Sequence, residues 1–318
     1  MLSRRMASVV LLIGGCTERE EGGALRSIEE LSFRHTAAGM NVGSRTVGDL
    51  QEARRSPSVF SECDGFLVVG GCEKKGRHLS SAERFQWSPE SSVRNGILFQ
   101  NVIEATSCAV SFALDDCRGV LLGGFNGNDC LKEVQLVELN GSEVAARRLP
   151  DIPFRLKNSV AVKLPDLSVL LFGGWDESQT MKTVFRLAFD EAVTSHDLKM
   201  EAVLPYSIEG HSCALHNDHI FVIGGYDGIS VVDTIVRYSI SDRSCEVVPT
   251  RLAVARENHV CEVILDRYVV VMAGWNGREA LDSIELFEIV DESPYLIPVI
   301  VDCKLSKARI RPVSIASQ

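Results

Sequence analysis

A ten-residue stretch, HIFVIGGYDG at 219–228, recurs in altered form along the whole chain and constrains the fold more than any other feature. Its apolar run, 220–223, is too short for a stable helix and is rich in β-type residues, so it reads as a buried strand. Gly224 and Gly225 then end the strand with residues that accept a positive φ or a close backbone approach, and Asp227-Gly228 supplies turn chemistry. Copies stand at VVLLIGGC (9–16), FLVVGGC (66–72), GVLLGGFNG (119–127), SVLLFGGWD (168–176) and VVVMAGWNG (269–277). The second glycines fall at Gly15, Gly71, Gly124, Gly174, Gly225 and Gly274, a spacing of roughly 50 residues.

Six units of this period resemble the kelch repeat, and the resemblance covers essentially the whole chain. It implies an all-β, six-bladed kelch β-propeller in which each unit is one four-stranded blade. A chain of 318 residues exceeds the usual single core, but in a ring each blade packs mainly on its neighbours, so one domain over 1–318 is expected. The expected blades are approximately 1–50 plus 308–318, 51–104, 105–154, 155–206, 207–255 and 256–305. Segments rich in Ser, Ala, Val and Cys (57–63, 107–114, 159–164, 211–216, 259–265) precede five glycine runs and suit the wall of a narrow channel. The first run lacks such a segment, while 308–316 has no unit after it. The ring is therefore expected to close by a C-terminal strand pairing into the first blade, beside 9–13.

Third strands with mixed apolar and polar residues are expected at 25–33, 79–85, 131–139, 181–189, 231–240 and 281–289. The fourth strands are less regular and lack the tryptophan usual in kelch units. Tyr238 and Phe287 hold the aromatic place of the third strand, whereas Leu31 and Val137 replace it in other blades. The polar stretch between Phe33 and Arg54 reads as an irregular outer strand with a long loop.

The charge balance, 33 basic against 43 acidic residues for a net −10, argues against broad binding to nucleic acid or anionic membranes. No apolar run reaches membrane-spanning length. The ten cysteines are scattered, several within strand-like runs (Cys108, Cys213, Cys261), and no CxxC pair occurs. They read as free thiols in a reducing, cytoplasmic compartment, without a structural zinc. The start MLSRRMASVVLLIGGC mimics a secretory or lipoprotein signal, and MLSRR a mitochondrial one, but the apolar run is in phase with the other repeats and reads as a strand. Within 318 residues the six units leave no room for a BTB or F-box module.

Two loop sets bear on function. The residue after the glycine pair is Cys16, Cys72, Phe125, Trp175, Tyr226 and Trp275, so four consecutive blades present an aromatic there, the usual anchor of an interaction surface. Packing against the adjoining blade is the alternative. Before or at the inner strands lie Arg54 and Arg55, Arg155 and Lys157, Arg256, and Arg309 and Arg311, and guanidinium forks grip carboxylates. Resemblance to kelch substrate adaptors, in which such arginines and tyrosines bind acidic segments, singles out Arg55, Arg256, Tyr226 and Trp275. The expected partner surface is Arg55, Arg155, Arg256, Arg309, Phe125, Trp175, Tyr226 and Trp275, docking an acidic or polar segment of a protein. Glu104 and Glu209 make it lopsided, and pairing of the arginines with carboxylates such as Glu52, Glu257 and Asp151 is the competing reading.

No cofactor or metal is expected, since His211, His216, His219 and His259 share no ligand spacing and no phosphate loop, dinucleotide fingerprint or nucleophile motif occurs. The chain therefore reads as a non-catalytic scaffold or adaptor, part of a complex. A kelch-type enzyme acting on a sugar, with Glu209, His211 and His259 at its centre, and a structural subunit of a large assembly are the rivals.

Overall fold

The structure, a computed structural model, describes residues 7–18, 23–37, 39–73, 76–88, 93–94, 96–166 and 168–317. The signal-like residues 1–6 lie outside the described residues. Six antiparallel sheets, four-stranded except for an addition to the last, stand in a ring. Blade one is Val313–Ala316, Ala7–Ile13, Ser27–Thr36 and Gly39–Asp49, from the channel outward. Blades two to five begin at Ser58–Glu62, Val110–Asp115, Val160–Lys163 and Ser212–His216 and run outward in chain order, as does blade six from Val260–Ile264. The ring closes as the repeat count requires: Val313 pairs with Ile13 and Ala316 with Val10, antiparallel.

The second strands are continuous apolar runs because both of their faces are covered. In Ser168–Phe172 every residue is buried. Val169 and Leu171 pack with Val120, Leu122 and Leu136 of blade three, whereas Leu170 and Phe172 pack with Ile220, Val222 and Tyr238 of blade five. Each second strand is thus a shared core between neighbours, and at about 25 cal/mol per Å² of apolar surface this burial is what holds the blades in register.

The glycine pairs let one blade reach the next. The amide of each second glycine donates to a carbonyl of the following blade: Gly15 to Arg54, Gly71 to Thr106, Gly124 to Leu156, Gly174 to Ile208, Gly225 to Arg256 and Gly274 to Arg309, at 2.7–2.9 Å. At Gly124, φ is +100° and a Cβ would lie 2.2 Å from Thr106 Oγ1 and 2.8 Å from the Ser107 carbonyl, so only glycine fits.

A second circle of hydrogen bonds surrounds the channel. Ser56, Cys108, Asn158, Gly210, Asn258 and Arg311, one per blade, all take φ between 48° and 60°. The amide of each donates to the carbonyl of the equivalent residue one blade back, Ser56 to Arg311, Cys108 to Ser56, Asn158 to Cys108, Gly210 to Asn158, Asn258 to Gly210 and Arg311 to Asn258. The circle is complete, at 2.6–3.2 Å. It spans the seam between the two ends of the chain and fixes which loop residues look outward at the channel mouth.

Two outer segments differ from expectation. The stretch after Phe33 is a regular eleven-residue strand, Gly39–Asp49, paired along the whole of Ser27–Thr36 with one register shift. Its length is supported by Met40 and Val42, which pack with Leu305 on the core between blades one and six. Before entering blade one, the chain also adds Lys304–Arg309 alongside Leu281–Ile289 of blade six. Trp87, just after the third strand of blade two (Ala82–Gln86), is buried and meets Phe66 edge-on at 6.4 Å.

Candidate docking face at the channel mouth

Adjacent arginines on the inner loops take opposite directions. Arg54, Arg256 and Arg309 are 0% exposed and turn into the blades, where each meets a carboxylate of the third strand: Glu83, Glu285 and Glu29. The Arg256 guanidinium bonds the Ala273 carbonyl at 2.9 Å, Ser283 Oγ at 3.0 Å and Glu285 Oε1 at 2.6 Å. Burial pulls the pKa of all three guanidinium groups down while the carboxylates push it back up. Arg256 and Arg309 therefore have no donor to offer a partner, and their expected place on the docking face is corrected. Arg155 stays 41% exposed but is engaged by Glu177 at 3.0 Å, Asp129 at 3.7 Å and the Cys130 carbonyl at 2.6 Å. Pairing was thus the right reading for these residues, through other carboxylates than Glu257 and Asp151; Glu52 does pair with Arg54.

The inward positions follow a rule inside the chain. Where the loop carries Arg, the third-strand residue at the matching register is Glu; for the loops with Thr106, Leu156 and Ile208 that position holds Gln135, Phe185 and Val236. Three residues before each such arginine, a backbone N–H also donates to the Glu: Gln51 to Glu83 at 2.6 Å, Ala253 to Glu285 at 2.7 Å and Ser306 to Glu29 at 2.5 Å. The two apolar blades carry Pro153 and Pro205 there, which have no N–H to satisfy.

Arg55, Lys157 and Arg311 instead line one cavity of ≈ 280 Å³ at the channel mouth, together with His78, Ser107, Cys72, Cys108 and Phe125. Arg55 is half-buried and hydrogen-bonds the Cys72 thiol. Lys157 Nζ lies 4.4 Å from the centre of the Trp175 ring and 4.9 Å from that of Phe125, and His78 meets Phe125 edge-on at 5.4 Å. Among the described residues neither Lys157 nor Arg311 has an ion-pair partner, and Arg311 Nε has no hydrogen-bond partner. Burial first, then Arg55, lowers the pKa of His78, so its imidazole is neutral at pH 7. Among the described residues no carboxylate lines this cavity.

The aromatic positions come together on the same face. Phe125, Trp175, Tyr226 and Trp275 are each half-buried, and each pairs through its backbone with the residue just before the hydrogen-bonded circle: Ser107, Lys157, Glu209 and Glu257. Beyond each aromatic stands the same turn, in which Asn126, Asp176, Asp227 or Asn276 accepts two backbone N–H groups with its side-chain oxygen. The turn tips are exposed, and Ile229 is 88% exposed on one of them. The mouth is consequently basic on the side of Arg311, Arg55 and Lys157, and acidic on the side of Glu209, which Asn158 Nδ2 and Thr180 Oγ1 hold at 2.7 and 3.1 Å.

A second cavity of ≈ 210 Å³ runs down the channel, with wall residues from all six blades. His211 and His259 are buried in its wall. Burial pushes His211 down to about 3, and burial, then Arg256, pushes His259 well below the usual histidine range. Ser212 Oγ and His259 Nε2 are 2.8 Å apart. Both imidazoles are neutral at pH 7 and far from the matched pKa that general acid–base catalysis requires. Among the described residues no group of three or more His, Cys, Asp or Glu is placed to hold a metal ion, and no helix is long and apolar enough to cross a membrane.

Comparison with known proteins agrees with this architecture. The kelch motif matches residues 209–251, the core of blade five. Kelch repeat and BTB domain-containing protein 2 of Cowpox virus (strain Brighton Red) is 23% identical over 180 residues, a match covering 54% of this chain. The chain spans 30% of the length of that relative. The solved structure of YjhT matches with a TM-score of 0.68 at 12% identity, over 91% of this chain and 98% of its own, a likeness of fold. With a matched kelch motif, a kelch-repeat relative and six four-stranded blades closed by its last strand, the chain is a kelch-repeat β-propeller.

Proposed function

We propose that the protein is a non-catalytic interaction module whose channel-mouth face docks an acidic or polar segment of a partner protein. The kelch propeller is a fold commonly used for protein interaction. The observation that carries the reading is the convergence of Arg55, Lys157 and Arg311 on one cavity that no carboxylate lines among the described residues, in a chain of net charge −10. Phe125, Trp175, Tyr226 and Trp275 supply rigid apolar surface around that charge, the composition of an interface hot spot. Its ten free cysteines support a reducing, cytoplasmic setting, and membership of a complex follows from the docking role. Quantitative co-purification with the intact chain and with a Lys157→Gln/Arg311→Gln variant tests the face. Loss of acidic partners from the variant is expected; unchanged recovery would count against it.

A second reading, a subunit that packs through its outer strands, is favoured by the exposure of Met200 (68%), Val203 (48%), Val247 (43%) and Ile297 (43%) on the outer strands of blades four to six. Partners lost on changing Met200 and Val247 to Ser, but kept in the Lys157/Arg311 variant, would support it instead.

A further inference from the structure

The basic cavity carries more charge than one carboxylate can balance. Arg311 enters from blade one, Arg55 from blade two and Lys157 from blade four, so three cationic heads approach one ≈ 280 Å³ space from three directions. Lys157 is held as a point charge over two aromatic rings, without a carboxylate of its own among the described residues. Arg311 Nε is shielded from water and has no acceptor among the described residues, which leave part of the guanidinium charge uncompensated. Ser107 adds a hydroxyl to the wall, and neutral His78 adds no competing negative group.

A side-chain carboxylate offers two coplanar oxygens and one charge. A phosphomonoester carries about −1.5 to −2 at pH 7 and three acceptor oxygens splayed about its ester bond, matching cations that arrive from three sides. We propose that the group received here is the phosphoryl group of a phosphorylated segment of the partner protein, an inference that rests on the docking reading above and names its ligand. The phosphoryl oxygens sit among Arg55, Lys157 and Arg311, and the flanking residues of the segment lie across Phe125 and Trp175.

The test uses the full chain immobilised against three random peptide libraries that differ only at a fixed central residue: phosphoserine, glutamate or serine. Retention of the phosphoserine library at least about tenfold above the glutamate library is expected, with loss of that preference in Lys157→Gln and in Arg311→Gln. Lys157→Arg, which keeps the charge, should preserve most of it and controls for folding. Equal retention of phosphoserine and glutamate libraries, both lost in the variants, would overturn the phosphoryl assignment while leaving the acidic-segment reading in place. Retention of neither above serine would overturn both. Inorganic phosphate binding as tightly as the phosphoserine peptides would mean a free phosphate ligand and would overturn the assignment to a partner segment.

Discussion

Replacing Arg256 by Leu tests whether the inward ion pairs are matched units. Arg256 is 0% exposed and its partner Glu285 is 12% exposed, so the substitution strands a carboxylate inside blade six and strips the Ala273 carbonyl of its guanidinium bond. Breaking a buried pair by removing one member costs about 3–5 kcal/mol, whereas exchanging the whole pair for well-packed apolar residues is commonly neutral. Blade four shows the apolar solution in this same chain: Pro153, Leu156 and Phe185 stand where blade six has Ala253, Arg256 and Glu285. The triple variant Ala253→Pro/Arg256→Leu/Glu285→Phe removes the cation, the anion and the shorter of the two backbone N–H bonds that served it. Equilibrium urea unfolding followed by tryptophan fluorescence should show a loss of about 3–5 kcal/mol for Arg256→Leu, with most of it recovered in the triple variant. A single-variant loss under about 1 kcal/mol, or a triple variant no more stable than the single one, would refute the idea that these positions are chosen together.

Two further outcomes follow from the seam and the channel. His211 and His259 have folded pKa values below the unfolded value of about 6.5, so the unfolded chain binds protons first as pH falls; with His211 pushed down to about 3, that imidazole should cost about 2 kcal/mol of stability by pH 5, and His259 acts in the same direction. Glu262, hydrogen-bonded by Ser314 Oγ at 2.7 Å and raised by burial to about 7, acts in the opposite sense: its contribution is present at low pH and is lost as pH rises through that value. Two imidazoles outweigh one carboxyl, so unfolding midpoints should fall between pH 7 and 5, and His211→Gln should flatten the dependence; a rise on acidification would contradict the assignment. Deleting residues 313–318 removes the strand paired to Ala7–Ile13 and leaves an open sheet edge, so size-exclusion chromatography should show self-association; an unchanged monomer would refute the role of that strand.

The propeller was legible in the sequence because its strongest constraint is local: a run such as VLLF, apolar on both faces, followed by two glycines, can be read without knowing its neighbours. Ring closure was legible by counting, since one inner strand was missing at the start and one was spare at the end. The directions of the arginines were not read correctly, because inward or outward aim depends on a partner from another strand. The signal was nevertheless present, as Glu83 follows Arg54, and Glu285 follows Arg256, by the same number of residues. For Arg309 that partner, Glu29, lies at the opposite end of the chain. The hydrogen-bonded circle left no such trace. Its members are Ser, Cys, Asn, Gly, Asn and Arg, alike only in backbone conformation, and so Arg311 could not be distinguished from Arg309 as the cation that faces the cavity.

Hydrogen exchange read by mass spectrometry, with and without a poly-glutamate peptide, most directly tests whether the channel mouth is where acidic ligands dock. Slowed exchange at residues 55–56, 107–108, 157–158 and 310–311, with the outer strands His196–Val203 and Ser244–Arg251 unchanged, is the expected result, and Lys157→Gln/Arg311→Gln should abolish it. Protection confined to the outer strands, or protection at the mouth that survives loss of both cations, would contradict it.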